Sequence, residues 1–555
     1  MKASLAKYSP YYSIIRLSTV LVALTLTFGV GVQAESHLAV TKHVPPAVAN
    51  GQARFISQLP GTQLLNLAIS LPLRNENALD GLIREIYDPA SPSFRRYLSV
   101  AEFTDRFGPT PEDFVTLNEF ARSNGLRIVN SPSNRMVLDV EGSVAEINKA
   151  FHLTLGIYQH PTENRTFYAP DREPSLDLGI PVLHISGLDN FALPRAKNVI
   201  HSSAHSGKST GSGPGGNFVG SDLRAAYYGT GPLTGNGQSI GLFEYAGYEL
   251  SDVQLYFSTL KQPFNIPIKG VSLNGVPLNC PPQTCDDSEQ VLDIEIAASM
   301  APGLSQIVVY VGSNDVSIFN QMAADNTSKQ LSCSWGWPDD ESSLDPIFRE
   351  MAVQGQTVFV ATGDDGSGTP GDVVWPGDDP YITAVGGTDL TTNGPGGSWK
   401  SETGWSGSAG MPSKNGIPIP FYQKLPGVIN PSNNGSKTLR NIPDVASESN
   451  TDQWSCYDGG CFEGNGGTSY ASPTWAGLTA LANQKEVSEG KAVLGFLNTR
   501  LYNIGVSSSY NNVFHDTLIG NNGAYNCVKG FDLVTGWGSL QGAVINSLVL
   551  VNGTD

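Results

Sequence analysis

The sequence Thr-Val-Phe-Val-Ala-Thr at 357–362 runs directly into Gly-Asp-Asp-Gly-Ser-Gly at 363–368. A short run of β-branched, apolar and aromatic residues that ends in turn residues is typical of a strand buried on both faces. Similar short apolar runs occur at 239–245, 306–311, 330–335 and 381–386. We expect these five segments to be strands of one sheet.

Amphipathic segments such as 290–300 and 316–324 separate the apolar runs. Strands that alternate with helices predict an α/β domain, a mostly parallel sheet with helices on both faces. Sites in such sheets gather at the carboxyl ends of the strands. Asp364, which directly follows the 357–362 strand and Gly363, is therefore expected to face a site, unless it belongs to a solvated turn.

Composition limits the classes of function. The chain has 555 residues, a formal net charge of −18 and a hydrophobic share of 40%. This length predicts two or more globular domains with a sizeable core. Nucleic-acid binding requires clustered Lys and Arg, which are scarce in this chain, so no nucleic-acid partner is expected.

The first 34 residues have the pattern of a secretory signal. Lys2, Lys7 and Arg16 precede an apolar run at 17–30, and small residues lead up to Ala34. We predict cleavage after Ala34 and a secreted, extracellular protein with no membrane attachment once the signal is removed. An uncleaved membrane anchor is the alternative, although the apolar run is short and contains Ser and Thr.

Composition also divides the remaining chain into domains. Residues 37–195 mix strand-like and helical patterns and predict one α+β unit. Residues 202–216 are almost wholly Ser, Gly, His, Lys and Thr, which cannot bury apolar surface. We therefore expect an N-terminal domain at 35–200, a flexible, protease-accessible linker at 201–216 and a second domain at 217–555.

Six cysteines are too few to stabilise a chain of this size, so the fold must depend on its core. Two pairs are close enough in sequence to close short loops in an oxidising compartment: Cys280 with Cys285, and Cys456 with Cys461. Cys333 lies in an apolar run and is expected to be a buried thiol. Cys527 has no evident partner.

The sequence Gly-Gly-Thr-Ser-Tyr-Ala-Ser-Pro at 466–473 precedes an apolar helical stretch at 475–483. Glycine permits a tight turn, and Pro473 is tolerated in a first helical turn, so Ser469 is expected at a helix N-terminus. Free amides at that position favour negative charge near the hydroxyl, as a nucleophile requires. Simple capping of the helix is the alternative interpretation, and it is the commonest role for such a serine.

A serine nucleophile also needs a base. Seven of the eight histidines precede or lie within the linker, so only His515 is available in the second domain. A Ser-His-Asp triad is therefore disfavoured. Glu289 and Asp293 lie four residues apart in a helical stretch and share one face, which makes them the candidate base, with a solvated acidic stripe as the alternative.

Two aspartates near the C-terminus have cation-binding chemistry. Asp516 lies in Phe-His-Asp-Thr at 514–517, and Asp532 lies in Lys-Gly-Phe-Asp at 529–532. Carboxylates together with backbone carbonyls bind hard cations such as Ca²⁺. A pair of surface loops explains the same residues.

Three motifs occur in a fixed order: Glu289-x-x-x-Asp293, Gly363-Asp364 after a buried strand, and Gly467-Thr468-Ser469-x-x-x-Pro473. Together they resemble the sedolisin, or serine-carboxyl peptidase, family, and its kumamolisin-like members in particular. The resemblance covers nearly the whole chain after the signal. It implies a subtilisin-like fold for the second domain, and residues 37–195 resemble the family's activation prodomain, with 97–107 similar to its motif.

The resemblance implies a role for each candidate residue. Ser469 becomes the nucleophile, and Glu289 becomes the general base and later acid, oriented by Asp293. Asp364 becomes the acid at the oxyanion site. The resemblance also implies a supporting hydrogen-bond network of Glu244 and Trp335. It places Ser334, Trp335 and Gly336 at the substrate. It further implies one structural Ca²⁺ ion, bound by the side chains of Asp516 and Asp532 and by the carbonyls of Thr517, Val528 and Gly530.

The implied protein is an acid-acting endopeptidase made as a proenzyme. Its substrates are polypeptides, its prodomain is an intramolecular inhibitor removed by self-cleavage within 200–216, and it is expected to be a monomer. Glu289 must be ionised to accept a proton, whereas Asp364 must be protonated to donate a hydrogen bond. Acidic pH favours this combination.

Four alternative functions stay open from the sequence. A tripeptidyl-peptidase of the same family has the same catalytic residues. A subtilisin-type hydrolase would use His515 and work best near or above neutral pH. A glycosidase could pair Glu289 with Asp364, but this leaves Ser469 and the first domain without a role. An inactive secreted binding protein would cleave nothing at any pH.

Overall fold

The computed structural model describes residues 38–40, 42–200, 210–337, 343–367 and 375–541. The predicted signal at 1–34 lies outside these ranges. Within them, no helix is both long enough and apolar enough to cross a membrane.

Residues 38–200 form the strands and helices of the N-terminal domain and of the segment that follows it. The strands are β1 (Leu38–Ala39), β2 (Arg54–Gln58), β3 (Leu64–Ser70), β4 (Arg127–Asn130), β5 (Val137–Ser143), β6 (Leu155–Gln159), β7 (Thr166–Pro170), β8 (Ser175–Leu176), β9 (His184–Ser186), β10 (Arg195–Ala196) and β11 (Val199–Ile200). The helices are α1 (Pro46–Ala49), α2 (Glu76–Ile86), α3 (Val100–Arg106), α4 (Pro111–Ser123) and α5 (Val144–Ala150). The predicted α+β composition is thus observed.

Three antiparallel sheets form the N-terminal domain, in the orders β4-β5-β3-β9, β2-β6-β7 and β1-β8. Helix α4 packs on β4 and β5, and helix α5 packs on β5. Apolar side chains from these elements, including Leu117, Leu138 and Ile147, form a core that belongs to this domain alone. The N-terminal domain therefore has its own hydrophobic core.

Residues 210–541 form the second domain. Its strands are β12 (Ser239–Glu244), β13 (Ile268–Ser272), β14 (Gln306–Val311), β15 (Gln330–Cys333), β16 (Trp335–Gly336), β17 (Thr357–Ala361), β18 (Thr383–Thr392), β19 (Trp399–Gly404), β20 (Met411–Pro412), β21 (Asn441–Ile442), β22 (Val445–Glu448), β23 (Gln453–Tyr457), β24 (Gly460–Gly466), β25 (Phe514–His515) and β26 (Ser539–Leu540). Its α-helices are α6 (Gly220–Tyr227), α7 (Leu250–Thr259), α8 (Ser288–Met300), α9 (Asp315–Asp325), α10 (Asp345–Val353), α11 (Thr468–Ser488), α12 (Asn498–Gly505) and α13 (Tyr510–Val513), and its 3-10 helices are Pro214–Gly216 and Phe421–Lys424.

The central sheet has eight described strands, in the order β13-β14-β12-β15-β17-β18-β19 with β22 beside β18. All pairs are parallel except β18 with β19. The five runs predicted from sequence are β14, β12, β15, β17 and β18, which occupy consecutive positions in this order. The predicted mostly parallel sheet is confirmed.

Helices cover both faces of the sheet, as strand β12 demonstrates. Successive side chains of a strand point to opposite faces. Phe243 stacks on Phe319 of α9, with ring centroids 4.4 Å apart, whereas the next residue, Glu244, interacts with Asp293 of α8. Helices α8 and α9 therefore lie on opposite faces, as the α/β prediction required.

Helices α8 and α11 pack on each other, and α11 also lies on β15, β17, β18 and β22. Every residue of α8 is buried, including its acidic ones. Pro473 lies in the second turn of α11, not in the first turn as predicted. Because proline has no amide hydrogen, the carbonyl of Ser469, four residues earlier, receives no helical hydrogen bond from it.

The N-terminal domain packs against the second domain through helix α2, which contacts α10. Leu79, Ile83 and Ile86 of α2 belong to the same apolar cluster as the core of the second domain. The Tyr87 hydroxyl donates to the carbonyl of Ala352 at 2.6 Å and accepts from the amide of Phe496 at 2.8 Å. One residue thus joins the two domains with two buried hydrogen bonds.

The structure describes the second part of the predicted linker at 201–216. Residues 201–209 lie outside the described ranges, but Thr210 bonds to Thr392, its Oγ1 accepting from the Thr392 amide at 2.9 Å. Gly211 and Gly213 donate backbone hydrogen bonds to Gly216 and Asn217. The bond to Thr392 attaches the start of 210–216 to the second domain, and the backbone bonds hold the segment against Asn217, the first residue predicted for that domain.

The cysteine predictions are confirmed. Two disulfides join the predicted pairs, Cys280 with Cys285 and Cys456 with Cys461. Cys333 and Cys527 are free thiols, and both are buried.

The Tyr87 contacts predict a measurable interdomain contribution. Tyr87→Phe removes one buried hydrogen bond to Ala352 and leaves the buried amide of Phe496 without its acceptor, which costs about 1 to 3 kcal/mol. We expect the free energy of unfolding of the full chain to fall by this amount, measured by urea denaturation in the Ser469→Ala background. Tyr158→Phe, in β6 of the N-terminal domain, is the control, and an equal effect of both variants would contradict the interdomain role.

Candidate active site

Ser469 lies in the first turn of α11 and is fully buried. Gly467 precedes it with φ 118°, a conformation that residues with side chains rarely adopt. Gly467 also occupies the N-cap position, and α11 has no side-chain cap. Ser469 is therefore not a helix cap, and its hydroxyl lies 3.5 Å from the carbonyl oxygen of Ser334.

Glu289 lies in the first turn of α8 and is 2% exposed. Burial raises the pKa of Glu289 well above its ordinary value, the charge of Asp293 raises it further, and hydrogen bonding with the Ser469 hydroxyl lowers it. The Ser469 interaction does not reach ordinary hydrogen-bond geometry, and neither carboxyl oxygen of Glu289 has another partner in the described residues. A buried carboxyl group that is so poorly satisfied, beside a serine hydroxyl, is characteristic of a functional site.

Asp293 lies one turn further along α8, where the Ser334 hydroxyl donates to its Oδ1 at 2.8 Å. Burial raises the pKa of Asp293 to about 8, although hydrogen bonds with Ser334 and Glu244 oppose the rise. Glu244, at the end of β12, accepts from the indole nitrogen of Trp335 at 3.0 Å. Burial, followed by the charge of Asp293, raises the pKa of Glu244 well above its ordinary value.

These contacts form one buried carboxyl cluster, which we define as Glu244, Asp293 and Glu289. The cluster extends from Trp335 at one end to Ser469 at the other. Like charges in low dielectric cannot all be ionised together, so the three groups titrate as a unit and hold protons between them.

Asp364 follows strand β17, at the carboxyl end of the sheet where a site was expected. Its Oδ1 accepts from the amide of Thr468 at 2.7 Å and from the hydroxyl of Thr468 at 3.0 Å. Burial raises the pKa of Asp364 to about 7, while the Thr468 amide and the charge of Lys197 oppose the rise. A carboxyl group with this pKa is protonated at acidic pH and can donate a hydrogen bond.

The segment between the two domains crosses this site in an extended conformation. On one side of Ser469, β10 pairs antiparallel with β16, matching Arg195 to Gly336 and Ala196 to Trp335. On the other side, β11 pairs antiparallel with β24, matching Val199 to Gly466. The chain therefore occupies the cleft from end to end, as an extended peptide does in β-strand addition.

The residues predicted at the substrate have the contacts of a strand-binding edge. The carbonyl of Ser334 accepts from the amide of Lys197 at 2.9 Å. Trp335 and Gly336 form β16 beside β10. Ser334 also holds Asp293 through its hydroxyl, so one residue links the cleft edge to the carboxyl cluster.

His515 has a different environment. Its ring stacks on Trp399, with centroids 3.7 Å apart, and its backbone pairs with Ser539. Burial lowers the pKa of His515 to about 4. Ser469 interacts with the carboxyl group of Glu289 and favours its ionised form. No such interaction joins Ser469 to His515 in the described residues.

The residues predicted to bind calcium lie close together. Asp516 Oδ1 accepts from the amide of Gly530 at 3.1 Å, and Asp532 Oδ2 accepts from the amide of Val528 at 3.0 Å. The Thr517 hydroxyl is buried and finds no hydrogen-bond partner in the described residues. The atoms predicted to bind the ion are all carboxylate or carbonyl oxygens, which fits a hard cation. The described ranges contain no group of three or more His, Cys, Asp or Glu side chains that could hold a metal, so any ion would need backbone oxygens too.

Three residues of the site were missed by sequence reasoning. Thr468 holds Asp364, and its position between the glycines and Ser469 was the available signal. Lys197 and Asn198 lie at the site although they were assigned to the first domain, and no local pattern marks them. Asn198 Nδ2 lies 3.2 Å from the hydroxyl of Ser288, the residue before Glu289.

Two family models match the chain. Residues 51–191 match the pro-kumamolisin activation domain, and residues 300–494 match the subtilase family. The first match falls within the N-terminal domain, and the second includes both Asp364 and Ser469.

Known proteins are similar over almost the whole length. Kumamolisin from Bacillus sp. (strain MN-32) is 28% identical, over 90% of this chain and 92% of that protein. Sedolisin from Pseudomonas sp. (strain 101) is also 28% identical, over 92% of this chain and 91% of that protein. The solved structure of Pseudomonas sedolisin, a serine-carboxyl proteinase complexed with two molecules of pseudo-iodotyrostatin, superposes with a TM-score of 0.53 at 25% identity, covering 63% of this chain and all of that chain. The chain thus combines a pro-kumamolisin activation domain with a subtilase-family domain, and over almost its whole length it is similar to serine peptidases of the sedolisin family.

Proposed function

We propose that the protein is a secreted, acid-acting serine-carboxyl endopeptidase, made as a proenzyme, that hydrolyses peptide bonds through an acyl-enzyme on Ser469. The observation that carries this proposal is the burial of the Glu289 carboxyl beside the Ser469 hydroxyl, with Asp293 one helical turn away. The predicted signal sequence and the two disulfides support secretion, because disulfides persist in oxidising compartments.

Glu289 acts as general base and then as general acid. In the first step the Ser469 oxygen bonds to the substrate carbonyl carbon while Glu289 takes the hydroxyl proton. Glu289 returns that proton to the leaving amine as the C–N bond breaks. Water then repeats the sequence on the ester, which releases the peptide acid and restores Ser469.

Asp364 stabilises the oxyanion together with the amide of Ser469. A protonated Asp364 donates a hydrogen bond to the developing negative charge, whereas an ionised one repels it. The pKa of Asp364 is about 7 with Lys197 nearby, and the Lys197 charge lowers it. Departure of Lys197 therefore raises the pKa of Asp364 further. Asp364 thus holds its proton throughout acidic pH.

The carboxyl cluster explains how a buried base works in acid. With a pKa of about 8, Asp293 is protonated at acidic pH, and Glu244 has a raised pKa for the same main reason, burial. Once both hold protons, their charges no longer raise the pKa of Glu289, so burial is the main effect left opposing its ionisation and the Ser469 hydroxyl favours it. Activity therefore requires Glu289 ionised and Asp364 protonated, which gives a bell-shaped profile on the acidic side of neutrality.

Endopeptidase activity is favoured over tripeptidyl-peptidase activity by the cleft. The segment 195–200 pairs with strands on both sides of Ser469, and the whole N-terminal domain precedes it. A cleft that accepts chain in both directions suits internal cleavage. The same occupancy supports the prodomain as an intramolecular inhibitor.

We also propose one structural Ca²⁺ ion, held by the side chains of Asp516 and Asp532 and by carbonyls of Thr517, Val528 and Gly530. When bound, the ion supplies positive charge that compensates the two carboxylates. These residues lie on loops next to β25, so the ion would stabilise the C-terminal part of the second domain.

The proposed roles predict a strong difference between two buried glutamates of α8. Glu289→Gln removes the base and should reduce kcat/KM for a peptide at pH 4 by about 100- to 10,000-fold. Glu295→Gln is the matched control, since Glu295 is equally buried but accepts from the Cys456 amide at 3.2 Å. Ser469→Ala should remain a full-length proform under the same conditions. Loss of activity in His515→Ala with retention in Glu289→Gln would contradict the assignment and support a subtilisin-type triad.

The Asp364 proposal predicts a change in pH profile. Asp364→Ala removes the donor and should reduce kcat by about 100- to 1,000-fold. Asp364→Asn keeps a neutral donor that cannot ionise, so it should retain more activity than the alanine variant and lose the alkaline limb near or above pH 7. The measurement is kcat/KM from pH 3 to 9. An alkaline limb unchanged in Asp364→Asn would show that another group sets it.

Calcium removal should lower thermal stability. An ion present at about 100 times its Kd stabilises by about 2.7 kcal/mol, so chelation should lower Tm by roughly 5 °C or more. Scanning calorimetry of wild type with chelator, and after addition of Ca²⁺ or Mg²⁺, measures this shift. We expect Ca²⁺ alone to restore Tm, and no chelator effect in Asp516→Asn. An equal chelator effect in that variant would place the ion elsewhere.

A further inference from the structure

Lys197 is positioned as the residue before a scissile bond. Its amide donates to the Ser334 carbonyl at 2.9 Å, and its carbonyl oxygen accepts from the Ser469 amide at 3.0 Å. The second contact directs the Lys197 carbonyl at the nucleophile's own helix turn, where an oxyanion would form. The register of β10 with β16 and of β11 with β24 holds this carbonyl from both sides.

The Lys197 side chain is enclosed, although lysine is usually exposed. The residue is only 6% exposed. A Cβ on Gly336 would lie 2.6 Å from Lys197 Cε and 3.0 Å from Nζ, so the space that this side chain uses exists because residue 336 is glycine. Burial lowers the pKa of Lys197 to about 8, whereas the carboxyl groups of Asp364 and Asp365 favour its protonated amine. The pocket thus combines a narrow channel with two carboxyl groups that can receive an amine.

Arg195, two residues earlier, is placed differently. Its side chain lies 3.5 Å from Glu163 of the N-terminal domain and is more than half exposed. Its backbone pairs with Gly336, away from the nucleophile. Of the two basic residues in this segment, Lys197 alone reaches the pocket.

We propose that the bond between Lys197 and Asn198 is the first bond that the proenzyme cuts, and that the pocket gives the mature enzyme a preference for lysine before the scissile bond. This inference rests on the proposed function. It moves the first cut out of the 201–216 linker and into the cleft, because attack requires a carbonyl held at Ser469 and not only an accessible chain.

The same bonds form and break in this cut as in the cleavage of any other peptide substrate. The Ser469 oxygen bonds to the Lys197 carbonyl carbon, its proton passes to Glu289, and the bond to the Asn198 nitrogen breaks as Glu289 protonates that nitrogen. The contact of Asn198 with Ser288, beside Glu289, keeps the leaving amine near its proton donor. Water then releases Lys197 as the C-terminus of the prodomain.

The first test is the position of the cut. Purified full-length wild type is brought to pH 4, and the earliest product is analysed by N-terminal sequencing and intact mass. We expect a new N-terminus at Asn198 and a prodomain that ends at Lys197. Lys197→Glu should slow this step at least about tenfold, and Lys197→Arg should keep most of the rate. Arg195→Glu, which changes the charge of the segment equally, is the matched control and should process at the wild-type rate.

The second test uses the mature wild-type enzyme, so it does not depend on folding of any variant. The peptide Pro-Arg-Ala-Lys-Asn-Val-Ile-His, corresponding to 194–201, is compared with peptides that carry Gln or Glu in place of Lys. We expect kcat/KM at pH 4 to fall at least about tenfold for Gln and further for Glu. Asp365→Asn should reduce the ratio of kcat/KM for the Lys peptide to kcat/KM for the Gln peptide.

Cleavage of an acid-denatured protein separates this inference from the proposed function. If that protein is digested at pH 4 but the first product begins at another residue, or Lys197→Glu processes at the wild-type rate, the lysine assignment is overturned and the peptidase proposal stands. If mature wild type cleaves Lys and Gln peptides equally, the preference is likewise overturned. If no protein is digested at any acidic pH, the proposed function itself fails.

Discussion

Three carboxyl groups removed from water determine how this protein is built. Ionised carboxylates are costly in a dry interior, and neighbouring ones repel each other. Glu244 on β12 and Asp293 and Glu289 on α8 are nevertheless buried together, so protons must replace charge compensation. A site of this kind gains stability as pH falls, because its folded state binds more protons than the unfolded chain. Acidic surroundings therefore favour the fold, and the proposed chemistry requires them as well.

The segment at the C-terminal end of the prodomain packs against the same site. The prodomain has a separate core, yet it shares an apolar cluster with α10 and extends a strand through the cleft. Backbone pairing holds that strand on both sides of Ser469, and the Lys197 charge lies beside Asp364. In the proposed function, inhibition and preparation for cleavage thus arise from one arrangement, since the segment that covers Ser469 also presents a carbonyl to it.

Much of this architecture could be predicted from local patterns. The 357–362 strand and its neighbours appeared where the apolar runs placed them, because burial on both faces demands continuous apolar sequence. Glu289 and Asp293 share a helix face because four residues make about one turn. Pro473 was misplaced by one turn, since proline tolerance at a helix start is a preference and the actual start depends on Gly467.

By itself, the sequence determined the strands, the helices, the disulfide pairs and the residue types available for catalysis, because each of these depends on periodicity or short spacing. The tertiary structure alone decided which distant groups meet. Glu244 joins Asp293, Thr468 holds Asp364, and Lys197 lies against Ser469 across gaps of many residues. No local preference encodes such contacts, since they form only when parallel strands bring their carboxyl ends to one edge and a connecting segment is drawn across that edge.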